Sequence, residues 1–224
     1  MTTKINVDII SDVSCPWCII GYKALATALD EVDFGDAVEL NWLPYELNPG
    51  MGPGGQNRND YIREKYGLTP EQGRANRENL IERGLSVGYQ FNFPDDGRVY
   101  NTFNAHRLIH WAKESGLQTQ LKLALFDLFF QQKGNPSNVD DLLSCVEKVG
   151  LDVARARAIL DSDDYVDAVT AGLDFAFQNG ITGVPAFIFN KKYLISGGQP
   201  TEVFVSALQE MAAEQTSDHE MGNA

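Results

Sequence analysis

Two cysteines, Cys15 and Cys18, flank Pro16 and Trp17 in the segment SDVSCPWCIIG, residues 11–21. Thiols at this spacing can exchange disulfides, supply half of a tetrahedral zinc site, or pack as small hydrophobes. Exchange requires a thiolate, and a free cysteine with a pKa of about 8.5 is mostly protonated in a neutral cell. A helix N-terminus corrects this, because its unpaired N–H groups and dipole favour an anion. From residue 16 onward Ile19, Tyr22, Leu25, Ala26 and Leu29 fall at helical spacing, and Pro16 suits the first helical position. Cys15 is thus expected at the N-cap, with its thiol depressed to roughly 3.5–7.5, the range of such sites. Cys18 lies one turn further in and is less exposed. In that arrangement Cys15 attacks a substrate disulfide and Cys18 resolves the mixed disulfide.

The elements that must hold this pair are legible on both sides of it. Residues 4–10 alternate Ile5, Val7 and Ile9 with polar residues and read as a strand, and 38–47, VELNWLPYEL, reads as a second. Strand, helix and strand make a βαβ start. The loop 48–57, NPGMGPGGQN, is rich in glycine and proline but has no lysine after its glycines, so it is not a phosphate-binding loop. Residues 58–179 read as entirely helical. Thr69, Pro70 and Gln72 form a capping signature for a helix ending near Val87. Further helices fit 101–115, 120–132, 139–149, 153–160 and 165–178. The stretch 120–132 is apolar nearly all round and belongs at the centre of the helical unit. Two strands then fit GVPAFIFN (183–190) and KKYLISGG (191–198) around a turn near Asn190 and Lys191, and a last helix runs from 200 to about 214.

With the helical block set aside, the order is β-α-β … β-β-α. The expected fold is α/β and thioredoxin-like, with a helical domain inserted between strands 2 and 3. The expected division is 1–57 and 180–215 for the thioredoxin-like domain, 58–179 for the insertion and 216–224 for a flexible tail.

Pro185 opens a buried strand, where a proline removes a ladder donor. A cis Val184–Pro185 bond at a tight turn accommodates it, and in this topology the turn lies beside Cys15. The backbone of Val184 is then free to pair with an extended substrate. An ordinary proline at a strand start is the alternative.

Acidic residues outnumber basic ones 31 to 18 and the net charge is −13. No Lys/Arg cluster interrupts that balance, which argues against a nucleic-acid partner. No segment approaches the roughly 20 apolar residues of a membrane span, and the first residues lack the pattern of a signal peptide. The expected location is the cytoplasm, where three cysteines do not form a structural disulfide framework.

SDVSCPWCIIG, GVPAFIF and SGGQP together resemble the DsbA family of thiol–disulfide oxidoreductases, in particular its FrnE-like branch. The resemblance spans nearly the whole chain. It implies a thioredoxin fold, Cys15 as nucleophile, Cys18 as resolver and Pro185 as the cis-proline, with no bound cofactor beyond the redox-active Cys15–Cys18 disulfide. Some relatives carry a further cysteine pair near the C-terminus; this chain has no cysteine after Cys145. Partners would be disulfide-containing proteins or peptides and a thiol reductant such as glutathione or thioredoxin. Apolar residues on the inserted helices would suit a homodimer. Glutathione-dependent isomerases and transferases of the same superfamily are a second reading, with glutathione as co-substrate, although they usually carry serine at the Cys15 position.

A third reading is a peptide-binding module with structural zinc. His106 and His110, four apart, are candidate ligands, but their helix turns Ala105, Leu108, Ile109 and Ala112 to the core, so both histidines are expected at the solvent side beside Arg107 and Lys113. Cys145, close to a Leu142–Val146–Val149 stripe, reads as a buried inert thiol. Asp12 either relays a proton to Cys15 or caps the turn. Trp17 sits at the helix tip, where it covers the disulfide and contacts substrate, or packs.

Overall fold

The computed structural model describes residues 4–52 and 54–221, with the side chains of 36 and 215–221 excepted. The chain opens with β1 (Ile5–Ser11), α1 (Pro16–Glu31), a 3-10 turn at Gly35–Ala37, and β2 (Val38–Pro44). A two-residue strand β3 (Gln56–Asn57) and helix α2 (Arg58–Tyr66) follow, then α3 (Pro70–Ser86) and the short β4 (Arg98–Val99). The helical series continues through α4 (Phe103–Ala112), α5 (Gln118–Phe130), α6 (Val139–Lys148), α7 (Val153–Leu160) and α8 (Val166–Gln178). The chain returns in β5 (Ala186–Phe189) and β6 (Tyr193–Ser196) and ends in α9 (Thr201–Met221).

The main sheet has the order β2-β1-β5-β6, with β1 parallel to β2 and the other pairs antiparallel. This is the thioredoxin-like arrangement with its helical insertion between β2 and β5. β1 is central because Ile5, Val7, Ile9 and Ile10 are all buried. Asn190 and Lys191 both take positive φ, 49° and 57°, and so close the β5–β6 hairpin in the turn that suits right-twisted strands.

The insertion covers the free edge of β2, which would otherwise present unpaired backbone groups. The Gln118 side chain accepts from the Trp42 amide at 2.9 Å and donates to its carbonyl at 3.1 Å, standing in for a neighbouring strand. Trp42 Nε1 also donates to Thr119 Oγ1 at 2.9 Å. Helix α5 is buried nearly all round. The capping box at Thr69 and Gln72 is present on α3.

Residues 58–179 are not entirely helical, however. β3 and β4 form a small antiparallel ladder, and residues 89–94, between α3 and β4, are neither helix nor strand. The reason is written as a period of two: Tyr89, Phe91 and Phe93 alternate with polar residues, Phe91 stacks on Phe93 at 5.0 Å, and Phe91 meets the edge of Phe130 at 5.2 Å. The last helix runs past the expected end at 214, to Met221. Of the expected tail, residues 222–224 lie outside the described residues.

Candidate active site

The site forms where β1 runs into α1. Pro16 occupies the first turn of α1, and Cys15 is the N-cap with extended backbone, φ −94° and ψ 113°. The Cys18 amide closes the first turn on the Cys15 carbonyl at 3.1 Å. Cys15 is 4% exposed and Cys18 0%. Both are free thiols in this structure.

Opposite them stands the turn before β5. The Val184–Pro185 peptide is cis, and the Cys15 thiol donates to the Val184 carbonyl at 3.5 Å. The close approach depends on two glycines. A Cβ on Gly21 would lie 3.1 Å from Pro185 and from Phe187, and one on Gly198 would lie 3.2 Å from the Trp17 carbonyl. The SGGQP segment thus packs against the backbone of α1, and Trp17 is half-buried over Gly198. Cys15, Cys18, Trp17, Val184 and Pro185, distant in sequence, are brought together here.

The electrostatics differ from the expectation of a depressed Cys15 thiol. In the reduced pair Cys15 is pushed well above the ordinary thiol range, first by its hydrogen bond to Cys18, then by burial, with the Asp12 charge adding to both. Two thiols this close titrate as a pair, and the second proton is the hard one to remove. The bond to the Val184 carbonyl further favours the protonated form.

Asp12 is fully buried beneath the pair. Its Oδ1 accepts from the Ser14 amide at 3.1 Å and its Oδ2 from the Leu47 amide at 2.7 Å, so it ties the active-site turn to the end of the segment after β2. Burial pushes its carboxyl up, but the hydrogen bond and charge of His106 and the two amides outweigh this and hold it below its ordinary value.

His106 and Arg107 correct the sequence reading, while His110 is partly exposed. His106 is 3% exposed and Arg107 4%. His106 Nε2 lies 3.8 Å from Asp12 Oδ1 and 3.0 Å from the Tyr45 carbonyl, which can only accept. Nε2 therefore carries the proton. Burial lowers the His106 pKa, with Lys122 adding and Asp12 opposing, and the net shift is downward, toward a neutral ring. Arg107 is absorbed by backbone carbonyls, among them Asp164 at 2.8 Å, and by Asn104 Oδ1 at 2.9 Å. The apolar stripe places neither residue at the solvent, because α4 packs on α5, α7, α8 and β2 and so has almost no free face. Among the described residues no group of three or more His, Cys, Asp or Glu side chains is arranged to hold a metal ion.

Two features escaped sequence reading. Lys122 on α5 is 1% exposed, and its Nζ donates to the Ser11 carbonyl at 3.2 Å while lying 5.0 Å from the Phe126 ring centroid and 5.4 Å from that of Trp42. The signal for it was a lone charge in a turn otherwise apolar on every side. Tyr61 and Tyr66 on α2 meet edge to face at 6.0 Å, and burial first, with a smaller contribution from any negative charge on Cys15, raises both phenols. Cys145 is 5% exposed and donates to the Ala124 carbonyl at 3.6 Å; burial pushes its thiol up to about 11.

Comparison with known proteins agrees with this geometry. The family model described as a DSBA-like thioredoxin domain matches residues 6–209. YwbO, an uncharacterised protein of Bacillus subtilis, is 30% identical over 207 residues, covering 92% of this chain and 96% of its own. The crystal structure of the probable DsbA oxidoreductase SCO1869 from Streptomyces coelicolor superposes with a TM-score of 0.85 at 33% identity, over 92% of this chain and 89% of that one. The cytosolic disulfide reductase DsbM from Pseudomonas aeruginosa, solved with GSH, shares the fold at a TM-score of 0.65 and 15% identity, covering 92% of this chain and 98% of its own. With its sheet order, helical insertion and family match across residues 6–209, this chain belongs to the DSBA-like thioredoxin-domain family, the family of the DsbA oxidoreductases.

Proposed function

We propose that the chain exchanges disulfides with protein or small-molecule substrates through the Cys15–Cys18 couple, as an oxidoreductase or disulfide isomerase. The observation that carries this reading is the Cys15 sulfur at the start of α1, 3.5 Å from the Val184 carbonyl beside Pro185 and paired with Cys18. The Val184 amide makes no hydrogen bond among the described residues. An extended substrate backbone can pair with Val184 and bring its own disulfide to Cys15, with Trp17 as a neighbouring contact.

The Cys15 thiolate attacks one substrate sulfur, the substrate S–S bond breaks, and the second substrate sulfur leaves as a thiolate that takes a proton from solvent. Cys18 then loses its proton and attacks the Cys15 sulfur. The Cys15–Cys18 bond forms, the remaining substrate thiolate leaves, and two electrons have passed to the substrate. A dithiol reductant or glutathione reverses the sequence on the enzyme. The likeness to DsbM solved with GSH makes glutathione the first reductant to try. A cytoplasmic setting belongs to the same proposal, as does a substrate class of disulfide-bonded proteins or peptides. Among the described residues no helix is long and apolar enough to cross a membrane.

The test is equilibration in glutathione buffers with mass-spectrometric readout. A reversible Cys15–Cys18 disulfide is expected, and its potential sorts the role: near roughly −270 mV for a reductase, or about −120 to −180 mV for an oxidant or isomerase. Absence of that disulfide at every poise, together with saturable glutathione binding and turnover, would instead favour a glutathione-dependent isomerase or transferase.

A further inference from the structure

Lys122 has no part in the bond exchange between Cys15, Cys18 and substrate, and its position is costly. An ammonium removed from water with no counter-ion is among the least favourable groups a core can hold. Lys122 is 1% exposed, forms no ion pair among the described residues, and its Nζ has a single hydrogen bond, to the Ser11 carbonyl. The Trp42 and Phe126 rings give it cation–π contacts, which soften the cost without neutralising the charge. A Met or Leu would fill the same space on α5 at no electrostatic cost.

What surrounds the ammonium suggests why it is there. Its hydrogen bond to the Ser11 carbonyl fixes it at the end of β1, next to Asp12 and four residues before Cys15, and the titratable groups whose charges act on it or feel it are Cys18 on α1, Asp12 in the turn after β1, Cys15 at the N-cap, and His106 on α4. From β2 and from its own helix it meets only rings. Cys15 is buried and hydrogen-bonded as a thiol, and the neighbouring Asp12 carboxylate repels a thiolate. His106 is held toward its neutral form. Lys122 is therefore the one side chain in this set that can bring positive charge to the dithiol.

We propose that Lys122, supplied by the inserted helical block, is a positioning residue whose ammonium is the buried counter-charge of the thiolate formed by the Cys15–Cys18 pair. The inference rests on the exchange reading above. In the reduced protein one proton leaves the thiol pair and the remaining negative charge sits across from the ammonium. When Cys18 attacks the Cys15 sulfur and the intramolecular disulfide closes, that negative charge departs with the substrate sulfur. The ammonium is left facing Asp12 alone and holds its proton less tightly. The helical insertion thereby contributes to the redox poise as well as to covering the β2 edge. Burial depresses Lys122 to about 8, opposed by the charges of Cys18, Asp12 and Cys15 in that order. A proton held at that level can be released or taken up near neutral pH.

The wild-type protein carries the first test. The Lys122 side chain is titrated by NMR of 13C-lysine-labelled protein, once with the disulfide closed and once reduced. Its proton affinity is expected to be at least about tenfold higher in the reduced form, since a unit charge nearby commonly moves a pKa by one unit or more. Equal affinities in both forms would mean that Lys122 only balances Asp12, and would overturn the proposal. The second test uses Lys122→Met, which keeps the length and removes the charge. The pH at which the reduced pair alkylates is expected to rise, and the equilibrium with glutathione to move at least about fivefold toward the disulfide, because the thiolate has lost its partner. An unchanged alkylation profile in a folded Lys122→Met protein would also overturn it. Failure of the wild type to form a Cys15–Cys18 disulfide at any poise is a different result, which removes the exchange reading itself and this inference with it.

Discussion

Cys15 and Cys145 are buried to nearly the same degree, 4% and 5% exposed, and both thiols are pushed above their ordinary value. They differ in what surrounds them. Cys145 lies inside α6 and donates to the Ala124 carbonyl of α5, within an apolar interface. Cys15 begins a helix, has a second thiol three residues on, donates to the carbonyl of Val184, whose N–H has no hydrogen bond among the described residues, and shares its surroundings with a buried ammonium. Burial by itself makes a thiol inert. Reactivity needs a polar setting that can accept a negative charge when one forms.

The strongest way to break this comparison is to exchange the two sulfurs for oxygen. Cys15→Ser is expected to lower reduction of a disulfide-bonded peptide by about a thousandfold or more, since the proposed nucleophile is gone. Cys145→Ser should leave the rate within about twofold, because it touches nothing in the site. A large loss of activity in a folded Cys145→Ser protein would mean that the third cysteine takes part. Cys18→Ser separates attack from resolution. It should still form a mixed disulfide at Cys15 with glutathione, seen as a mass adduct on the Cys15 peptide, but should release it only slowly.

A smaller effect concerns pH. The folded pKa of His106 is lowered, so the unfolded chain binds more protons there, and stability falls as pH drops below about 6.5, the ordinary histidine value. Asp12 is also lowered, and its contribution is present above its ordinary value of 3.8 and lost as pH falls through the folded value. Both act toward acid, but in separate windows. His106→Gln retains a donor for the Tyr45 carbonyl, and denaturant titrations at pH 7 and 5 should show it losing less stability than wild type over that interval. Equal losses would place the acid sensitivity elsewhere. The smallest expected effect is on stability in Cys145→Ser, a cost of about 1 kcal/mol for placing a hydroxyl in an apolar interface, read from the same denaturation curves.

Much of the framework was legible because local chemistry and global fold agree in it. The alternation of Ile5, Val7 and Ile9, the proline that starts α1, the capping box at Thr69 and the turn at Asn190 and Lys191 each depend on neighbours within a few positions. The non-helical stretch through Tyr89, Phe91 and Phe93 was also written in the sequence, as a period of two, but it is short and set among helical segments.

What the sequence by itself determined is the covalent logic: two thiols one helical turn apart, at the start of a helix, on a strand-helix-strand frame. Only the tertiary structure decided the charge around them. His106, Arg107 and Lys122 are all polar by type, and a pattern of polar residues on a helix predicts solvent. Here α4 and α5 are packed on several sides, so these polar groups turn inward and must find partners there. Those partners lie far away in sequence: Tyr45 and Asp12 for His106, Asp164 for Arg107, Ser11 for Lys122. Electrostatic environment depends on distance in space, and distance in space between remote segments is what folding alone supplies.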